Sequence, residues 1–402
     1  MKQELLKQYN EYLDRRLNIN LSRGKPNKEQ LDLSMPMLDV LSSESNLVVN
    51  GIDYRNYGVL DGTKECKKLF ADILDVPASN IIVCGNSSLN IMYDSIARSM
   101  THGVMGSTPW CKLNKVKWLC PVPGYDRHFA ITEHFGIEMI NVPLKDDGPD
   151  MDLIEELIKD SSVKGIWCVP KYSNPSGITY SDEIVKRLAR LKPAAKDFRI
   201  YWDNAYAIHD LYDDKSDVLL NIFDECKKVG NPDLVYIFTS TSKISFPGAG
   251  VSVVACSGNN IEDILSSMKF QTIGHDKINQ LRHALYFKDL NGVKNHLKKH
   301  ADILRPKFEL VDKIFNEELR GYASWSKPLG GYFVSLYVKG CAKEVVVRCK
   351  ECGVVLTDAG ATYPYHMDPD NSNIRIAPSY LSLDELEIAL KVLCLCIKIE
   401  TK

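Results

Sequence analysis

Apolar residues in the middle of the chain fall in short continuous runs, separated by stretches in which they recur every three or four positions. NIIVCG (80–85), KWLCPVPG (117–124), KGIWCVP (164–170), FRIYWDNAY (198–206) and DLVYIFTST (233–241) are rich in β-branched and aromatic residues. Such runs predict strands buried on both faces. Periodic segments predict helices from about Leu89 to Met100, from about Tyr125 to Phe135, and over DEIVKRLARL (182–191). Strand and helix in alternation imply an α/β fold with a mostly parallel sheet covered on both faces.

The texture changes after about residue 290. VKNHLKKHADILRPKFELVDKIFNEELR (293–320) reads as a long amphipathic helix interrupted at Pro306. A strand (GGYFVSLYV, 330–338), a short helix, another strand and a terminal helix (LDELEIALKVLCLCIKI, 383–399) follow. These predict a smaller α+β domain of residues 291–402. Residues 1–45 are too few to fold alone and are assigned to it, which leaves 46–290 as the large domain.

Composition adds mainly exclusions. The 402 residues, 45% hydrophobic and 25% charged, suffice for a large core. A net charge of −2 offers no electrostatic pull toward nucleic acid or a membrane surface. The first residues, MKQELLKQYNEYLDRRLN, lack the apolar centre of a secretory signal, and no apolar run approaches the roughly 18 residues of a membrane span. A soluble, cytoplasmic protein is expected. The twelve cysteines are scattered, many in strand-like contexts such as Cys84, Cys120 and Cys168, where a reduced thiol acts as a small hydrophobe. CKEC (349–352) is the one CxxC, with no second pair at zinc spacing, so no metal is expected.

Ligands of α/β sheets bind beyond the carboxyl ends of the strands, and the chemistry is sought there. STSKISFPGAG (240–250) places Lys243 after a buried strand, without an acidic neighbour. Desolvation there favours the neutral amine that a Schiff base needs, although a lysine in a surface loop fits the same letters. Asn86, Ser87 and Ser88 stand at a helix start, where they either cap the helix or, with its dipole, cradle a phosphate. Tyr125 follows a Pro-Gly turn and either packs or presents its ring to a planar ligand. Asn174, held in a loop by the next proline, is a turn residue or an amide for a phenolate oxygen. Asp203 ends an apolar strand, where a carboxylate caps a helix or needs a cationic partner, and Tyr206 follows it. A phosphate, an aromatic ring, a phenolate and a protonated ring nitrogen would use each of these groups. Pyridoxal 5′-phosphate (PLP) has all four.

This ordered set resembles the type I fold PLP-dependent aminotransferases, and within them the bacterial subgroup Ic aspartate aminotransferases. The likeness runs from LNINLSRGKPN (17–27) through NYGVLDGTKECKKLFADIL (56–74) to NIRIAPSYLSLDELEIAL (373–390). It implies that Lys243 carries the cofactor and moves the proton, that Asp203 pairs with the ring nitrogen, and that Asn174 and Tyr206 bond the ring oxygen. It further implies that Tyr125 stacks on the ring and that Ser87, Ser88 and Ser240 hold the phosphate. By the same resemblance Arg375 grips the α-carboxylate and the Gly24 backbone approaches the substrate. Tyr57 would reach the phosphate of a neighbouring subunit, which makes a homodimer with shared active sites. Arg23 and Lys25 are the candidates for a distal carboxylate.

The chain departs from the family in one respect. Many relatives carry a phosphate-gripping arginine seven or eight residues after the lysine, and Gly250 and Val251 stand there instead. The implied activity is transfer of an amino group from an amino acid, foremost aspartate, to a 2-oxo acid, foremost 2-oxoglutarate. Tyr332 and Phe333 leave room for aromatic specificity. A PLP β-lyase or decarboxylase shares the same lysine and aspartate. A sensor domain of a transcription regulator is disfavoured by the short segment ahead of LSRGKPN.

Overall fold

The computed structural model describes residues 2–401. Eight strands form its central sheet: β1 (Ile81–Val83), β2 (Lys117–Val122), β3 (Glu138–Lys145), β4 (Gly148–Pro149), β5 (Val163–Cys168), β6 (Arg199–Asp203), β7 (Val235–Ser240) and β8 (Ser252–Ala255). Their order across the sheet is β1-β8-β7-β6-β5-β2-β3-β4. From β7 through β6, β5 and β2 to β3 every pairing is parallel. β8 runs antiparallel to both its neighbours, and β4 folds back antiparallel on β3.

Parallel neighbours need a long crossover, usually a helix, whereas antiparallel neighbours can be joined directly. The step from β7 to β8 is such a direct connection, and Lys243 sits on it. Every residue of β1, β5, β6, β7 and β8 is buried. Alternate residues serve opposite faces: Ile200 and Trp202 of β6 join one apolar cluster, and Tyr201 between them joins the other.

A second sheet, of β9 (Ala323–Trp325), β10 (Val334–Val338) and β11 (Asn373–Ile376), is antiparallel throughout. The N-terminal segment joins this part of the molecule. Ile19–Asn20 pairs in parallel with Val354–Val355, and the Lys2–Asp14 helix packs on the terminal Leu383–Glu400 helix.

The sequence places a break at Pro306, but the Leu290–Glu318 helix runs through it. Pro306 and Asp302, whose carbonyl loses its intrahelical donor, both lie on the solvent face, where water replaces the missing bond. All twelve cysteines are free, and among the described residues no helix is long and apolar enough to cross a membrane.

Candidate active site

Beyond the carboxyl ends of β5, β6 and β7 lies a cavity of about 420 Å³. Every residue to which the resemblance assigns a role lines it except Tyr57, while Asn86 and Tyr332 stand outside its lining. Tyr57 is 81% exposed and stands away from it.

One end of the cavity is built from hydroxyls and a helix start. Ser87 caps the Ser88–His102 helix by accepting from Leu89 N–H at 3.2 Å. Ser240 donates to Ser242 Oγ at 3.0 Å, and Ser242 donates to the Asn86 carbonyl at 3.4 Å. Free N–H groups and the helix dipole make this end attractive to an anion. A side chain at Gly250 would be crowded, because a Cβ there would stand 3.0 Å from Thr241 Oγ1 and 3.2 Å from the Asn86 carbonyl oxygen.

Lys243 stands in the β7–β8 connection with Nζ 5.3 Å from the centre of the Tyr206 ring. Its side chain is open only in part. Burial lowers its pKa from the ordinary lysine value, and the nearby charge of Asp203 opposes that shift. Asp203 ends β6 and is buried. His128 Nε2 lies 3.0 Å from its Oδ2, while its Oδ1 is shut off from water without any partner. The partner that a buried carboxylate demands is thus an imidazole. That ring stacks on Trp167 with centroids 4.4 Å apart and meets the edge of Tyr125 at 4.9 Å. Tyr206 is buried beside them, and burial drives its hydroxyl pKa well up.

Arg375 on β11 forms the other end. Its Nη1 donates to Asp126 at 2.8 Å and to Asn174 Oδ1 at 3.4 Å, and its Nη2 donates to Thr357 Oγ1 at 3.2 Å. Phe333 lies under the guanidinium at 5.1 Å, and Nε has no partner. Gly24 approaches from the N-terminal segment so closely that a Cβ would stand 2.1 Å from Phe333 Cζ. Lys25 Nζ lies 4.4 Å over the Tyr380 ring. Ser379 fixes this segment by donating to the Lys25 carbonyl at 3.0 Å.

Among the polar lining or supporting residues that escape the sequence are Asp126, Arg127, His128 and Ser242. Tyr125 and His128 are one helical turn apart, a spacing that puts both on one face. That was the available signal for the imidazole. Nothing in the letters pairs Asp126 with Arg375, because that contact joins the start of the Asp126–His134 helix to a strand of the second sheet.

The whole described chain and its two terminal residues, 1–402, match the family model described as aspartate amino-transferase. An aspartate aminotransferase of Corynebacterium glutamicum is 45% identical over 399 residues, covering 98% of this chain and 92% of that one. The crystal structure of an aspartate transaminase from C. glutamicum superposes with a TM-score of 0.97 at 44% identity, over 100% of this chain and 95% of the other. An α-aminoadipate aminotransferase of Thermus thermophilus, complexed with N-(5′-phosphopyridoxyl)-L-leucine, shares the fold at a TM-score of 0.77 and 17% identity, over 98% and 94% of the chains. The chain belongs to the aspartate aminotransferase family and is an aminotransferase.

Proposed function

We propose that this aminotransferase moves the amino group of aspartate to 2-oxoglutarate, using PLP held at Lys243. The observation that carries the cofactor assignment is Asp203 Oδ1, a buried carboxylate oxygen without a partner on the wall of the cavity. An unpaired buried acceptor is costly, and a protonated ring nitrogen would satisfy it. The other lining residues fit the rest of the group. Ser87, Ser88 and Ser240, with the helix start behind them, would hold the phosphate. Tyr125 would cover the ring, and Asn174 with Tyr206 would bond its oxygen.

When bound, PLP supplies a ring that takes up the electron pair left as the α-proton departs. Lys243 Nζ, whose pKa burial lowers from the ordinary lysine value, accepts that proton and returns it. Asp203 holds the proton on the ring nitrogen, and His128 at its other oxygen keeps the carboxylate oriented. Arg375 binds the α-carboxylate through N–H groups beyond those that Asp126, Asn174 and Thr357 already use.

Aspartate is preferred because the 45%-identical relative bears that name and because Arg23 and Arg127, both lining the cavity, make no ion pair among the described residues. Either suits a distal carboxylate. Lys25, engaged on Tyr380, is the weaker candidate. Residues 46–290 act as the cofactor domain and residues 1–45 with 291–402 as a second domain, supported by the Ile19–Asn20 pairing with Val354–Val355. The exposed Tyr57 belongs at a homodimer interface, where it reaches a partner's site. The free cysteines suit a cytoplasmic location.

The test is to mix purified protein and PLP with aspartate, glutamate, alanine and phenylalanine, and to follow the cofactor's absorbance as it accepts the amino group. Aspartate should convert it most efficiently. Preference for alanine or phenylalanine would overturn the substrate assignment. No spectral change with any of the four would overturn the cofactor assignment.

A further inference from the structure

The backbone that carries Lys243 is gripped from two sides by histidines that lie outside the cavity. His283 is fully buried on the Lys277–Phe287 helix. Its Nδ1 lies 2.8 Å from the Asn279 carbonyl, so that nitrogen bears the proton. Nε2 is left to accept from hydroxyls, and Ser245 Oγ stands 2.9 Å and Thr241 Oγ1 3.3 Å from it. Thr241 Oγ1 also accepts the Val251 N–H at 2.9 Å, which ties together the two ends of the β7–β8 connection.

The second grip comes from the Leu290–Glu318 helix. His296 Nε2 lies 2.9 Å from the Ile244 carbonyl, and Ser34 Oγ lies 3.2 Å from the same nitrogen. His300, one turn on, backs His296 at 3.1 Å. Gln30 Nε2 reaches His300 Nδ1 at 3.0 Å and donates to Tyr332 OH at 2.9 Å. Tyr332 OH donates in turn to the Lys243 carbonyl at 3.4 Å. Contacts therefore fall on Thr241, Lys243, Ile244 and Ser245, around the one lysine on the connection. Burying this many polar groups costs stability, and apolar residues would fill the same space more cheaply. A buried polar network does something packing does not: its directional bonds favour one backbone conformation.

Resting on the assignment of Lys243 as the reactive amine, we propose that His283 and His296 are positioning residues that hold the Thr241–Ser245 backbone so that Lys243 Nζ stays aimed into the cavity. Neither touches the reacting atoms. Loosening either grip lets Nζ wander, and a displacement near 1 Å costs about a hundredfold in rate.

The experiment compares wild type with His283→Leu, His296→Leu, His283→Gln and His296→Gln. Trp110→Phe is the control, since it removes a buried bond to Asp197 (2.8 Å) and, among the described residues, neither Trp110 nor Asp197 hydrogen-bonds to the Thr241–Val251 connection. Borohydride reduction of the wild-type holoenzyme and peptide mapping come first. A label elsewhere than Lys243 refutes the underlying functional assignment and with it this proposal. With Lys243 labelled, the leucine variants should lose about ten- to a hundredfold in kcat with KM within about threefold. In the enzyme freed of PLP, hydrogen exchange of a peptide covering 241–251 should quicken at least about tenfold in the same variants. The glutamine variants, which keep a polar atom near Nε2, should recover part of both. Trp110→Phe should lower Tm and leave both unchanged. If a leucine variant fails to fold, the asparagine variant at that position, too short to reach, replaces it with the same expectation. Wild-type kcat and exchange in the His variants would overturn the proposal, as would losses equal to those of Trp110→Phe.

Discussion

Lowering the pH from 7 to 4.5 should strip this fold of much of its stability through imidazoles that the interior keeps neutral. His209, His283 and His300 are buried, and burial pulls their pKa values down from 6.5 to about 3, about 4 and about 3. The charge of Lys243 adds to the effect at His209, and His296 adds to it at His300. In the unfolded chain all three titrate near 6.5. Below that pH the unfolded state takes up protons that the folded state refuses, so stability is full above 6.5 and falls as the pH drops toward the folded values. At pH 4.5 the difference is about two pH units for each imidazole. At ~1.36 kcal/mol per unit, each costs about 2–3 kcal/mol and the three together about 8 kcal/mol. A whole domain has only about 5–15 kcal/mol to lose. Urea unfolding at fixed temperature from pH 7 to 4.5 measures this directly. The midpoint should begin to fall near pH 6.5, and His300→Gln should remove about a third of the slope. A midpoint unchanged between pH 7 and 5 would refute the reasoning.

Four further outcomes are expected. Lys243→Ala should still bind PLP, without a covalent bond, and lose transamination by several orders of magnitude in a coupled assay. Asp203→Asn should keep the fold by circular dichroism yet lose most activity, since an amide cannot hold the ring proton, and near-normal turnover would assign that task to another residue. Arg127→Gln and Arg23→Gln should lower the ratio of kcat/KM for aspartate over alanine. One charge-assisted bond contributes about 1.5–3 kcal/mol, or roughly ten- to a hundredfold, and an unchanged ratio in both would place the distal contact elsewhere. Sedimentation should show a homodimer, and a fully active monomer at nanomolar concentration would remove Tyr57 from any partner's site.

β1, β5, β6 and β7 were legible because every residue in them is buried, so their letters form mostly apolar runs with little polar alternation. The ordered hydroxyls, tyrosine, asparagine, aspartate and lysine were legible because the fold delivers them at strand ends, where a polar letter after an apolar run stands out. Pro306 misled because its effect depends on which face it occupies: on the solvent side water replaces the lost bond, and no local letter says which side that is. His128 sat in view in PGYDRH, but its meaning depends on a carboxylate 75 residues later in the chain. Asp126 and the histidines behind Lys243 were hidden for the same reason, since their partners belong to other sheets and helices. Nothing in PGYDRH marks Arg127 out from a helix-surface charge.

The closeness of Gly24 to Phe333 ties together two positions from opposite ends of the chain. The glycine is there for want of room, and not to free the backbone, because its φ lies outside the left-handed region. Even a methyl group would drive the Phe333 ring from its place beneath Arg375, so the carboxylate site would be altered by a substitution that never touches the arginine. Position 24 can enlarge only if position 333 shrinks, and a change of substrate shape at this end would have to arrive as a pair of substitutions.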